Sequence, residues 1–283
     1  MLDIISASRR TDLPRCFPEV LADWLKKGRV IVRNPFNAKT KEVIITPEVV
    51  HTLVLWSKDY SLLLKNVAGL KDLIKSYDQV FFHFTVTGLG NTIWEPGVAD
   101  YRKVVWQFEK LVKLAGDPER VNWRFDPIIL WLENKRVASN LSEFKFIAKA
   151  AQQAGVPKVT VSLCQWYPKV KQRISKLGLK PWELKTGQIK RLSTWLKYQA
   201  KKHNLSLLAC ATPELVATGI LPASCIDAKL LLKLHPAKSS LSLSKAAGQR
   251  QACACNTSID IGDYKLACSQ GCQYCYANPK GVN

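Results

Sequence analysis

Short apolar runs alternate with longer stretches of helical periodicity along most of this chain. β-branched and aromatic residues concentrate at 3–7, 52–56, 79–86, 121–125, 158–163 and 206–210, and each run predicts a strand. Between them the pattern predicts helices near 18–27, 60–76, 98–115, 140–154 and 183–203. Pro18 suits the first turn of its helix, where a missing N–H costs nothing. Six strands separated by helices point to parallel βα units rather than a sandwich. Near-continuous apolar runs such as QVFFHFTV suit a parallel sheet covered on both faces. An extra pair near 30–33 and 43–46 predicts a small hairpin after the first helix. Residues 236–250, small and polar, predict a flexible crossing to the C-terminal tail.

Polar residues gather where the predicted strands end. Ser6, Arg9, Arg10, Thr11 and Asp12 follow the first, and Ser57, Lys58 and Asp59 the second. Thr85 and Thr87 close the third, Arg124 and Asp126 the fourth, Ser162 and Gln165 the fifth, and Thr212 and Glu214 the sixth. In parallel barrels the carboxyl ends of the strands form the active face. Polar groups at all six ends predict a wet, charged cavity there.

A length of 283 residues is normal for an α/β barrel and allows a large core. Hydrophobic residues make up 47% and charged ones 23%, as in a soluble globular protein. No apolar run approaches the ~20 residues of a membrane span, and the N-terminus lacks the plan of a signal peptide. The expected location is the cytoplasm, with no membrane partner. The formal charge of +20 allows an anionic small-molecule or nucleic-acid substrate, or an acidic protein partner. The 42 lysines and arginines are scattered rather than packed into one tract, so charge alone does not select among these.

The nine cysteines change the picture most, because grouped thiols in a reducing compartment point to metal or redox chemistry. Cys268, Cys272 and Cys275 stand in the spacing C-x3-C-x2-C, with Tyr274 just before the third. Structural zinc closes its shell with four ligands. Three thiolates on one loop can instead hold three irons of a 4Fe–4S cluster and leave the fourth open. Half of a zinc site is the plainer reading. Cys253 and Cys255, with Cys225 and Cys210 upstream, could close a zinc site or hold a second 4Fe–4S cluster. Cys210 fits equally as a buried core thiol. Cys16 and Cys164 are read as packing residues, and His83 as a satisfied histidine inside a strand.

The segment CSQGCQYCYAN at 268–278 resembles the cluster loop of the radical S-adenosylmethionine superfamily, in particular its spore photoproduct lyase-like branch. SASRRTDLP, RNPFN, LWSKD, FHFTVTGLG, WRFDPIIL and SIDIGDYKLACSQGCQYCYAN together resemble one uncharacterised microbial family, catalogued as a domain of unknown function. CATPE at 210–214 departs from that family's more usual Cys-Ala-Glu. In the superfamily the cluster motif normally follows the first barrel strand, whereas here it ends the chain. The resemblance therefore implies a circular permutation. Residues 1–210 would form a partial TIM-like (β/α)6 barrel, and residues 211–283 a cysteine-rich extension packed over its mouth.

The resemblance also implies roles. Cys268, Cys272 and Cys275 would bind the 4Fe–4S cluster, and S-adenosylmethionine would chelate the open iron. A 5′-deoxyadenosyl radical would then abstract hydrogen from the substrate, with electrons from a low-potential donor such as ferredoxin or flavodoxin. Lys58, Thr85, Thr87, Arg124, Asp126 and Tyr274 would meet the nucleoside, and Arg9, Arg10 and Asp12 an anionic substrate. The alternatives are a structural Arg124–Asp126 salt bridge, a nucleic-acid-binding zinc or iron–sulfur protein without radical chemistry, and an electron carrier.

Overall fold

The computed structural model of the chain describes residues 2–34, 37–237 and 240–277. Pro35, Phe36 and Asn278 of the motifs above, and residues 238–239 of the polar crossing, lie outside the described residues. Its strands are β1 (Asp3–Ala7), β2 (Arg29–Arg33), β3 (Thr40–Ile44), β4 (Val50–Ser57), β5 (Val80–Thr85), β6 (Val121–Ile128), β7 (Leu130–Glu133), β8 (Arg136–Ser139), β9 (Lys158–Leu163), β10 (Lys180–Pro181), β11 (Ser206–Ala209), β12 (Leu221–Pro222) and β13 (Ile259–Asp260).

Eight of them form one parallel sheet in the order β12-β11-β9-β6-β5-β4-β1-β13. Its edges, β12 and β13, do not pair, so the sheet stays open. β13 lies beside β1 in register Ile5 to Ile259 and Ser6 to Asp260. Read from β13, the order never reverses. Right-handed crossovers that always step the same way put every covering helix on the same face.

Burial follows from that winding. Ile5, Leu53, Leu55, Phe82, Phe84, Trp123, Phe125, Val159 and Val161 point to one face, against helices Pro18–Lys27, Gln107–Ala115, Leu141–Gln153 and Thr186–Lys202. Alternate positions point to the other face, because successive strand side chains alternate. There Ile4, Val54 and Phe81 pack under a second apolar cluster supplied by the tail, which includes Ala228, Leu231 and Leu234 of helix Ala228–Leu234. Tail and helices thus cover opposite faces.

The inner face also carries polar side chains that satisfy one another. Trp56 donates to Ser6 Oγ at 3.0 Å and stacks on His83 at 3.9 Å between centroids. His83 donates to the Cys225 carbonyl at 2.8 Å and takes Asn122 Nδ2 on its other nitrogen at 3.1 Å. Burial drives its pKa well below the ordinary value, so the ring stays neutral.

The structure corrects the expected elements in four places, and in one of them the helix expected near 98–115 is a 3-10 turn at Tyr101–Lys103 followed by a helix at Gln107–Ala115. The sheet has eight strands rather than six, because β12 and β13 are two residues long and too short for a periodic signal. The single helix expected over 60–76 is broken into Ser61–Leu64, Val67–Gly69 and Leu70–Ile74, where Asn66, Ala68 and Gly69 take positive φ. The hairpin after the first helix is present as β2–β3, while β7, β8 and β10 form a second small sheet that periodicity did not indicate. No helix among the described residues is long and apolar enough to cross a membrane.

Candidate functional site

Loop 268–277 has no regular structure and is held by partners that follow four different strands. After β1, Asp12 Oδ2 accepts from Gln270 Nε2 at 2.6 Å. After β5, the segment 94–97 pairs with the loop through Gly97 N–H to the Gln270 carbonyl (3.0 Å) and Gln273 N–H to the Trp94 carbonyl (2.9 Å). A Cβ on Gly97 would stand 2.6 Å from the Ser269 carbonyl, so only glycine fits this approach. From helix Pro168–Lys176, which follows β9, Arg173 donates to the carbonyls of Gln273 (2.9 Å) and Cys275 (3.0 Å). Lys58, after β4, is part of the charged group described next. The loop therefore sits over the carboxyl ends of the strands.

Beside Cys272 lies a buried charged group built around Glu95. This carboxylate accepts from Lys58 Nζ at 2.9 Å, from Thr87 Oγ1 at 2.6 Å and from the Tyr274 hydroxyl. Lys58 Nζ also lies 5.6 Å from the Tyr274 ring centroid. Burial alone would push the Lys58 ammonium down, but Glu95, Cys272 and Asp12 together reverse it and hold the pKa above the ordinary lysine value. Burial, with Cys16 nearby, raises Asp12 to about 7, against three hydrogen bonds that favour its ionised form. Asp12 binds the Lys58 backbone N–H at 2.9 Å as well as Gln270. It thus couples the first strand end to the cysteine loop.

Arg9 and Arg10 are engaged with the tail through Asp260 at the end of β13. Asp260 accepts from Ser6 Oγ (2.9 Å), Ser8 Oγ (2.7 Å) and the Arg9 N–H (2.8 Å), and the Arg9 guanidinium stands 3.6 Å away. Arg10 donates to the Gly262 carbonyl at 2.9 Å and lies over the Tyr264 ring. These arginines fasten the tail to the first strand.

The second cysteine group converges on the inner face. Cys210, after β11, lies 3.5 Å from Cys225, after β12, sulfur to sulfur. Cys255 belongs to the same packed cluster, and Cys253 packs against it. Arg124 donates to Cys225 Sγ at 2.6 Å, pairs with Asp126, and lies over the Trp56 ring at 5.2 Å. Asp126 in turn accepts from Ser162. Arg124 and Asp126 therefore belong with this second group. Thr85, level with Arg124 in the sheet, is half-buried at the end of β5.

Cys16 is not simply a packing residue. Its sulfur lies 3.6 Å from that of Cys268, a contact between helix Leu13–Cys16 and the tail that sequence spacing cannot reveal. The Cys268 thiol lowers Cys16 to about 6. Cys164 does pack, with burial raising it to about 12, and it lines a cavity of about 330 Å³ with Gln165, Trp166, Thr212 and Glu214. A larger groove of about 480 Å³ lies between helices Leu141–Gln153 and Thr186–Lys202 on the outer face, away from the cysteines. The smaller cavity is the one at the strand ends.

Sequence reasoning passed over Glu95, Gly97, Asp260 and Arg173. Asp260 lies inside a motif quoted above, and the Pro96-Gly97 turn signal marks a special backbone position. As they stand, no three His, Cys, Asp or Glu side chains among the described residues surround a common point closely enough to hold a metal ion. In the second group Cys210 and Cys225 are in direct sulfur contact. Both groups nonetheless present soft donors of the kind that zinc and iron–sulfur clusters take.

No curated protein matches the chain. Among solved structures, the carboxyl transferase domain of Rhizobium etli pyruvate carboxylase is similar at 11% identity and a TM-score of 0.31, covering 80% of this chain and 40% of that one. A likeness that distant bears on neither site. The model of the family described as Domain of unknown function (DUF1848) matches residues 4–277, and the chain belongs to that family.

Proposed function

We propose that the protein is a radical S-adenosylmethionine enzyme with a permuted, partial TIM-like barrel, its 4Fe–4S cluster held by Cys268, Cys272 and Cys275. The observation that carries this reading is the position of β13, which pairs with β1 and runs directly into the cysteine loop. Strand order read from β13 is then sequential through β12, as in a barrel whose first strand has been moved to the end of the chain. The motif resemblance adds the three-thiol spacing that leaves one iron open.

A cluster held by Cys268, Cys272 and Cys275 would supply the electron for reductive cleavage of S-adenosylmethionine and so the means of taking hydrogen from a substrate. This chain's residues supply position and charge. Lys58 brings a buried positive charge beside Cys272, suited to a carboxylate, and Glu95, Thr87 and Tyr274 hold it in place. Asp12 and Gly97 fix the loop over the strand ends. The cavity near Gln165, Thr212 and Glu214, after β9 and β11, offers room for a substrate. A low-potential donor such as ferredoxin or flavodoxin would be the electron partner. The charge of +20 favours an anionic substrate, small or nucleic acid.

Anaerobic purification tests this directly. Each chain should carry about four irons at the loop, lost in Cys272→Ala, and should form 5′-deoxyadenosine from S-adenosylmethionine once reduced. A chain that takes up no iron even after anaerobic reconstitution would end the radical reading.

A further inference from the structure

We infer that Cys210, Cys225, Cys253 and Cys255 form a single-ion tetrahedral zinc site that pins the tail across the inner face, whatever the Cys268 loop binds. Sulfur spacing carries the argument. Thiolates bound to four different irons of a cubane stand well out of contact with one another. Four thiolates on one zinc lie at the corners of a tetrahedron whose edge is about 3.8 Å for Zn–S bonds of about 2.3 Å. Here Cys210 and Cys225 are 3.5 Å apart, and Cys253 and Cys255 lie in the same packed cluster. A two-iron cluster would divide the four sulfurs into two separate pairs. Here all four cysteines share one cluster rather than two.

The surroundings fit a closed thiolate shell. Arg124 Nη1 donates to Cys225 Sγ at 2.6 Å. Such outer donors orient ligand sulfurs and offset the negative charge of four thiolates around one divalent ion. Ile226, Leu241, Ala211, Ala223 and Val54 wall the group with apolar surface that offers no further ligand. Closing the shell requires the four thiols to draw in around the ion. Each thiol gives its proton to solvent as its sulfur takes the metal, and nothing is oxidised or reduced.

Such an ion would do a structural job. Cys210 and Cys225 follow the last two strands at one edge of the sheet, whereas Cys253 and Cys255 precede β13 at the other. A shared zinc would tie the crossing segment to both edges of an open sheet.

Metal analysis and zinc-edge X-ray absorption on the full chain test this. The expected result is one zinc per chain with four sulfur neighbours at about 2.3 Å and no iron neighbour. The Cys253→Ser/Cys255→Ser variant should lose that zinc and keep its loop iron, while Cys272→Ala should do the reverse. Should the double variant fail to fold, cobalt substitution of the unaltered protein provides an independent readout through the visible bands of a tetrahedral thiolate ion. About eight irons and no zinc, a Cys210–Cys225 disulfide in the purified protein, or zinc retained in the double variant would each overturn the assignment. Zinc without iron would leave it standing and remove the radical reading.

Discussion

The two cysteine groups are held in opposite ways. Around Cys268, Cys272 and Cys275 the protein supplies a charged setting of Lys58, Glu95, Tyr274, Asp12 and Arg173, and the Cys268 sulfur turns outward to Cys16. Cys210, Cys225, Cys253 and Cys255 gather instead inside an apolar wall, Cys210 against Cys225, with Arg124 as the buried cation beside them. A group that reacts needs room and oriented charge at its open side, whereas a group that only binds a metal is better enclosed. The contrast separates a candidate reaction centre from a candidate staple.

The sharpest way to break that contrast is to remove the charge beside the loop. Glu95→Ala strands the Lys58 ammonium in a buried site, and breaking such a pair costs about 3–5 kcal/mol. Urea unfolding should show this loss together with poor iron retention, while zinc content stays level. Equal loss of both metals would merge the two sites into one cooperative unit.

Next in size is Gly97→Ala. Its Cβ meets the Ser269 carbonyl and the Gln270 backbone, and overpacking of this kind costs about 1–3 kcal/mol. Iron per chain should fall several-fold with the helical circular dichroism intact. Unchanged iron would show that the loop can shift without losing its function.

Asp12 gives a pH signature. Burial raises its folded-state value from 3.8 to about 7, so folding favours the protonated carboxyl. That contribution is complete below 3.8 and is lost as pH rises through about 7. Asp12→Asn should flatten this part of the stability profile when unfolding midpoints are measured across that range. An unchanged slope would assign it to other groups.

The smallest effect is expected from Cys16→Ala. A three-thiolate loop should keep its iron without this neighbour. If the variant loses iron as fully as Cys272→Ala, the loop has four protein ligands and no open iron, and the radical mechanism fails.

Much of this was legible in the chain. Concentrated β-branched and aromatic runs located β1, β4, β5, β6, β9 and β11, since four to eight such residues together stand out from their surroundings. The C-x3-C-x2-C loop was visible because its three thiols are neighbours in sequence. β12 and β13 were invisible because two residues have no period, and the break at Asn66, Ala68 and Gly69 because positive φ is only weakly written in residue type. Arg9, Arg10 and Arg124 were read as ligand-binding groups from their place at strand ends. Their ties to Asp260 and Cys225 span 251 and 101 residues, and no local pattern encodes such distances.

The sequence by itself indicated six strands of the main sheet, most of the helices that cover it and the grouped cysteines, because apolar runs and thiol spacing are local properties. Tertiary structure alone decided that the tail returns to β1 and that Cys16 meets Cys268. It also decided that Glu95 anchors Lys58 beside the loop, and that four cysteines from three segments meet under Arg124. These contacts form when a one-way parallel sheet buries its helices on one face and leaves the other to be covered by the end of the chain. The partners are then chosen by burial and packing across the whole fold, which adjacent residues do not record.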